Sequence, residues 1–292
     1  MSVLNFGSIN IDHVYRVPHF VRPGETLGAR SYTIKPGGKG ANQSAAIAQA
    51  GGSVFHAGKI GEDGRWMVDM LNEFGVDTRF VRVGETATGH AIIQVDDNGE
   101  NSIVLYGGGN QEITRHEIDA TLDSVNAGTV LLLQNEINDI PYIMRAAADR
   151  GIEICINPAP MTEAVQGYPL DLVTTLVVNE TEARGILGSD VPDEGLLDRL
   201  TEQVPGADLI VTLGAAGLQA RSGQQTVILP AFPAEVVDTT AAGDTFTGFY
   251  LARRLAGDDF ERALMVASKA SSIAVAREGA MPSIPKLDEV VA

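Results

Sequence analysis

Short apolar runs and longer stretches of helical spacing take turns along this chain. Val3-Leu4-Asn5-Phe6 running into Gly7 reads as a first buried strand. An alanine-rich stretch at 41–51, closed by Gly51, predicts a helix, 54–60 a strand and 64–74 another helix. From residue 130 the rhythm is regular. Runs at 130–134, 153–156, 172–178 and 209–212 predict strands, and 140–150, 180–187, 194–203, 243–256 and 260–276 predict helices. Thr114-Arg115-His116-Glu117 is a capping box that opens one more helix. Strands alternating with helices predict an α/β chain with three layers, α/β/α, around a mostly parallel central sheet.

Two stretches break that rhythm. Residues 12–35 carry Pro18 and Pro23 with mixed polarity, and within 89–106 two apolar runs flank Asp96-Asp97-Asn98-Gly99-Glu100-Asn101, a hairpin signal with a central Asn-Gly. Together they predict a small antiparallel appendage inserted into the first half of the α/β body. No linker, composition shift or internal repeat divides the chain, so 1–292 reads as a single domain.

Composition narrows the function. Of 292 residues, 44% are hydrophobic and 20% charged, enough apolar material for a large core. The formal charge is −17, from 21 Lys+Arg against 38 Asp+Glu, which disfavours non-specific binding to nucleic acid and docking on anionic membranes. Cys155 is the one cysteine, so no intrachain disulfide forms, as suits a reducing compartment. No apolar run reaches the ~18 residues of a membrane helix. The start, MSVLNFGSINID, lacks a basic segment, and a cytoplasmic location is expected.

A polyanionic ligand would therefore need a local device. A P-loop is not it: Gly38-Lys39 is followed by Gly40, and the glycine required upstream is Thr33. The dinucleotide fingerprint also fails, at Gln43 after Gly38-Lys39-Gly40 and at Glu112 after Gly107-Gly108-Gly109. The informative segment is Asp238-Thr239-Thr240-Ala241-Ala242-Gly243-Asp244, small residues leading straight into an apolar helix. Backbone N–H groups at such a helix start bind anions. Asp244 there has two readings: a charge favoured by the helix dipole, or a base beside an anion site.

Four segments in order carry a resemblance to a known family: Gly37-Gly38-Lys39-Gly40-Ala41-Asn42-Gln43 (preceded by Pro23-Gly24-Glu25-Thr26-Leu27), Asn179-Glu180-Thr181-Glu182, Thr212-Leu213-Gly214-Ala215-Ala216-Gly217, and 238–244. The chain resembles, from end to end, the ribokinase-like carbohydrate and nucleoside kinases. The broader family often has Gly where this chain has Ala241, a departure that favours the ribokinase branch. The resemblance implies a small β-sheet lid at about 12–35 and 89–106, pairing with a second subunit as a homodimer. It implies ATP and a small sugar as substrates, with Asp244 as general base on a primary hydroxyl and Ala241, Ala242 and Gly243 as a backbone anion hole.

By the same resemblance Asn10, Asp12, Gly38, Lys39, Asn42 and Glu136 bind the sugar, although Asn10 and Asp12 also suit a turn after the first strand. Asn179 and Glu182 organise Mg²⁺, through water, and the triphosphate, and Asn179 also suits a helix cap. Thr212, Gly214 and Gly217 contact the ATP phosphates; alone they would read as a turn. A monovalent cation, K⁺, falls to Asp238, Thr240, Ala274, Arg277, Gly279 and Ser283. The implied reaction is D-ribose to D-ribose 5-phosphate. Alternatives are a nucleoside, with Tyr106 as a candidate to stack a base, a fructose-type sugar, 2-keto-3-deoxygluconate, or a non-catalytic sugar sensor. The last is opposed by base, anion hole and Asn179/Glu182 occurring together.

Overall fold

The structure is a computed structural model that describes residues 1–188, 192 and 195–292. The chain opens with β1 (Ser2–Phe6), β2 (Asn10–Arg16), β3 (Ser31–Gly37) and α1 (Lys39–Gln49). β4 (Val54–Ile60), α2 (Arg65–Glu73), β5 (Asp77–Val83), β6 (Gly89–Val95) and β7 (Asn101–Tyr106) follow. The middle holds α3 (Arg115–Leu122), β8 (Thr129–Leu133), α4 (Ile140–Asp149), β9 (Glu153–Ile156), β10 (Thr175–Asn179) and α5 (Glu180–Leu187). The chain ends with α6 (Leu196–Gln203), β11 (Asp208–Thr212), β12 (Leu218–Ser222), β13 (Gln225–Leu229), α7 (Ala242–Leu255), α8 (Phe260–Val275) and α9 (Leu287–Val291).

Nine strands form one sheet in the order β13-β12-β11-β10-β9-β8-β1-β4-β5. Its β11-to-β5 stretch is parallel throughout, and β12 and β13 close one edge as an antiparallel hairpin. Alternation along the strands feeds two cores. Val3, Val130, Leu132 and Ile210 pack with Ile47, Met67, Phe249 and Leu264 of α1, α2, α7 and α8. Leu4, Phe6, Leu131, Leu133 and Val211 pack on the opposite face with Ile118, Met144 and Leu200 of α3, α4 and α6. The expected three-layer arrangement follows, because a parallel strand buried on both faces needs an apolar residue at nearly every position.

β3-β2-β6-β7 form a separate four-stranded sheet. Its pairs are antiparallel except for parallel β2–β6. Pro36 sits in β3, which is an edge strand and can spare an N–H. Several details differ from the sequence expectation. Asn10 and Asp12 lie in a strand rather than a turn, because β2 pairs on both sides. Gly40 belongs to the first turn of α1 rather than to a loop. β5 was not predicted; it is an edge strand whose exposed and half-buried charged positions hide its pattern. β12 and β13 were also missed, and Leu172 lies in a short 3-10 turn before β10. The predicted start of α6 at Glu194 lies outside the described residues.

Two glycines set how close α1 can come to its neighbours. A Cβ at Gly40 would meet Ser8 N at 2.4 Å, so α1 starts directly against the segment after β1. A Cβ at Gly248 would lie 2.4 Å from Ala46 Cβ and 2.9 Å from Gln43 O, so α7 and α1 touch backbone to backbone. Gly248→Ala is expected to lower the unfolding free energy by about 1–3 kcal/mol, the usual cost of overpacking. Urea denaturation read by circular dichroism checks this; an unchanged midpoint would show that the helices are free to separate.

Candidate active site

A cavity of about 960 Å³ opens where the carboxyl ends of β8, β10 and β11 meet the starts of α1 and α7, with the four-stranded sheet facing it. Open α/β sheets bind ligands at this edge. Period two divides the small sheet: Asp12, Val14 and Arg16 of β2, Ala91, Ile93 and Val95 of β6, and Ile103 and Leu105 of β7 line the cavity. His13, Tyr15, Tyr32, His90 and Tyr106 form one run of ring contacts on the other face. Tyr106 therefore does not face the cavity, and its proposed stacking on a base is corrected by strand alternation.

Asp244 lies in the first turn of α7 and is 5% exposed. Asn42 Nδ2 donates to its Oδ2 at 3.0 Å, and Gln43 Nε2 donates to its Oδ1 at 2.9 Å. The turn before the helix is closed by Ala241 at φ 61, ψ 11, a left-handed conformation that costs a residue with a Cβ about 1–2 kcal/mol. That turn engages the Ala242 N–H on Thr239 O at 3.2 Å. Of the expected anion hole, Ala242 is thus turned inward, and the N–H groups of Gly243 and Asp244 are the next unpaired donors of the helix start. Ala241, Ala242 and Gly243 all line the cavity. The Lys39 ammonium is held above its usual pKa chiefly by Asp244, with burial opposing and Glu136 and Glu182 adding to the rise.

Asn10, Asp12, Gly38, Lys39, Asn42 and Glu136 all line the cavity. Glu136 Oε2 accepts from Ser8 Oγ at 2.5 Å and from Lys39 N at 2.9 Å, and burial pushes its pKa up. Asn10 Oδ1 accepts from Asn110 Nδ2 at 2.8 Å. Asn42 Oδ1 is buried without a partner and so offers an acceptor to an incoming hydroxyl. Burial first, and the charge of Glu136 second, raise the Asp12 carboxyl from 3.8 to about 6, with Lys35 acting against them.

Asn179 and Glu182 form a complete capping box at the start of α5 and line the cavity. Asn157 Nδ2 donates to Glu182 Oε2 at 3.3 Å, and burial raises the pKa of Glu182. Thr212 lines the cavity, whereas Gly214 and Gly217, in the turn between β11 and β12, do not. A Cβ at Gly217 would lie 2.0 Å from Leu229 O, so the hairpin itself requires that glycine.

Asp238, Thr240 and Gly279 also line the cavity. Asp238 accepts from Thr240 N at 2.9 Å, Thr240 Oγ1 at 2.5 Å and Gly279 N at 3.0 Å; burial raises its pKa, and these bonds outweigh it to leave the pKa low. Ala274, Arg277 and Ser283 do not line the cavity. Ala274 O accepts from Arg277 N at 3.0 Å, the Arg277 side chain pairs with Glu289, and Ser283 Oγ donates to Ala280 O at 2.7 Å.

A family model described as pfkB family carbohydrate kinase matches residues 2–287. The chain belongs to the pfkB family of carbohydrate kinases. It is 34% identical to a ribokinase of Haemophilus influenzae over 98% of this chain and 95% of that protein. The ribokinase of Cryptococcus neoformans var. grubii, solved with ADP, superposes with a TM-score of 0.87 at 34% identity over 100% of this chain and 99% of that one. The Arabidopsis thaliana ribokinase, solved with ribose and ATP, gives a TM-score of 0.87 at 29% identity over 99% and 97%. This chain is an ATP-dependent sugar kinase.

Ser8, Gln43, Asn110, Gln134 and Asn157 of this kinase carry no role that their sequence context alone assigns. Gln43 and Asn157 stood inside or beside recognised segments, but only the three-dimensional partners show what their amides hold. Because a sugar hydroxyl donates to an ionised carboxylate, protonating Asp12 removes an acceptor. Sugar KM is expected to rise as pH falls through about 6, and Asp12→Asn should carry a high KM without that inflection. Steady-state KM between pH 5 and 8 checks both; a flat wild-type profile would remove Asp12 from the sugar contacts.

Proposed function

We propose that this kinase transfers the γ-phosphoryl group of ATP to the primary hydroxyl of D-ribose, giving D-ribose 5-phosphate and ADP. The observation that carries the reading is the chemistry of the cavity wall. It combines the carboxylates of Asp12 and Glu136 with the amides of Asn10 and Asn42, and among the described residues that line it none is aromatic. Such a wall matches the hydroxyls of a small sugar and holds no aromatic ring to stack on the base of a nucleoside acceptor. The ribose and ATP in the Arabidopsis relative support the same choice.

In this reading Asp244 takes the proton of the primary hydroxyl. The N–H groups of Gly243 and Asp244, at the positive end of α7, stabilise charge on the transferring phosphoryl group, and Lys39 stands beside them. Among the described residues lining the cavity, Arg16, Lys35 and Lys39 are basic, against Asp12, Glu136, Glu182, Asp238, Asp244 and Glu278. A triphosphate entering an acidic cavity needs companion cations. Asn179 and Glu182 fit Mg²⁺ held through water, since burial makes the Glu182 charge costly and a cation relieves that cost. Mg²⁺ supplies neutralisation of the phosphate oxygens.

K⁺ fits the oxygen donors of Asp238, Thr240, Gly279, Ala274, Arg277 and Ser283, because carboxylate, hydroxyl and carbonyl groups that already accept or donate one bond keep further lone pairs. When bound it would fix the 238–241 segment that feeds α7. The four-stranded sheet acts as a lid that excludes water from the reaction. Its outward face exposes Tyr32, Ile34, Ile92, Val104 and Tyr106 at 41–63%, the surface through which two chains pair. Sedimentation is expected to show twice the 30.8 kDa chain; a monomer would leave that face without a partner.

The reading is tested by assaying Mg·ATP with ribose, deoxyribose, fructose, adenosine and 2-keto-3-deoxygluconate. Ribose is expected to give the highest kcat/KM, and K⁺ to stimulate well beyond Na⁺ or choline at equal ionic strength. Preference for any other acceptor overturns the substrate, and equal rates in the three salts overturn the cation site.

A further inference from the structure

Gln43 is fully buried and does not line the cavity, yet its amide touches the carboxylate on which the proposed reaction turns. Its orientation is dictated by its neighbours. An ionised Asp244 can only accept, so the Gln43 nitrogen faces it, donating one N–H to Asp244 Oδ1 at 2.9 Å and the other to Asn157 Oδ1 at 3.1 Å. Gln43 Oε1 then needs a donor and receives Gln134 Nε2 at 2.7 Å. The second Gln134 N–H goes to Asn5 Oδ1 at 3.0 Å.

The row continues away from the cavity. Asn5 Nδ2 donates to Gly40 O at 2.7 Å and to Ser44 Oγ at 2.8 Å. Ser44 therefore donates to His56 Nδ1, 2.8 Å away, and His56 donates from Nε2 to Gly7 O at 3.2 Å. Burial lowers His56 to about 4, so it is neutral, as this direction demands. The row begins on a carboxylate and ends on backbone carbonyls, groups that only accept. Gln134 Oε1 is left without a partner, but its nitrogen is held between Gln43 and Asn5, and turning Gln43 over would place oxygen against oxygen at both Asp244 and Asn157.

We propose that Gln43, locked by Gln134, is a positioning residue that anchors Asp244 through Oδ1 and leaves Oδ2, on the Asn42 side lining the cavity, as the oxygen that takes the proton. The same amide reaches Asn157, which donates to Glu182 Oε2, so one side chain sets the base and the phosphate-side carboxylate in a common frame. The proposal rests on the reading of Asp244 as the base, and the experiment separates the two.

The experiment measures D-ribose phosphorylation by Mg·ATP under steady-state and single-turnover conditions from pH 5 to 9. Asp244→Asn is expected to lose at least about 10²-fold in kcat. Gln43→Leu is expected to lower the single-turnover rate about 10- to 100-fold, the worth of a hydrogen bond to a charged group, with sugar KM within about threefold of wild type. Its acid limb should move up by about one pH unit, because a bond to the charged form favours that form. Gln134→Leu leaves Gln43 in place but unlocks its amide, so it should show the same signature at smaller amplitude; it carries the test if Gln43→Leu does not fold. An Asp244→Asn collapse alongside an unshifted acid limb in both glutamine variants, or a loss confined to KM, overturns the positioning role while the base stands. Near-wild-type turnover of Asp244→Asn overturns both.

Discussion

An ionised carboxylate taken almost wholly out of water must be repaid with donors and positive charge, and the Asp244 side chain at 5% exposure imposes that demand on everything around it. Two amides of α1, the positive end of α7 and the Lys39 ammonium meet it. Those amides reach Asp244 only because α1 and α7 touch at Ala46 and Gly248, and α1 reaches back to β1 only because residue 40 has no side chain. A helix-packing contact in the core and a buried carboxylate at the cavity are thus two ends of one constraint. Bulk added at the packing contact displaces the charge from its donors, and loss of the donors leaves a buried charge that the core cannot hold.

Much of this was legible in the residues. The three-layer body followed from the regular alternation after residue 130, and the Thr114 and Asn179 caps were readable from spacing and found complete. The residues expected to bind the sugar all line one cavity, and the glycines and polar side chains around 37–42 marked that stretch in the sequence. What stayed hidden was information carried by partners distant in sequence. Gln134 is an unremarkable polar residue at a strand end until the fold places it beside Asn5 and Gln43. β5 and the β12–β13 hairpin escaped because edge strands need no continuous apolar run. Gly217 matched a nucleotide-binding segment, yet close backbone packing against Leu229 already accounts for it.

The net charge of −17 takes on a different sense beside this cavity. An acidic protein with an acidic cavity repels a naked triphosphate but accepts one already carrying a divalent ion. In the reading proposed above, selectivity would then act on the metal–nucleotide complex as a unit, with Lys39 and the start of α7 as the few positive groups beside Asp244.

The place of β1 in the large sheet has a consequence for how the protein is made. β1 precedes both of the strands it lies between, β4 and β8, and the second of these neighbours ends only at Leu133. Pairings over such sequence distances close slowly, and an unpaired strand edge is a template for association with other chains. Until β8 is made, the nascent polypeptide carries a central strand with at least one edge open. The segment that ends before β8 therefore cannot complete the large sheet by itself and leaves an edge free to associate.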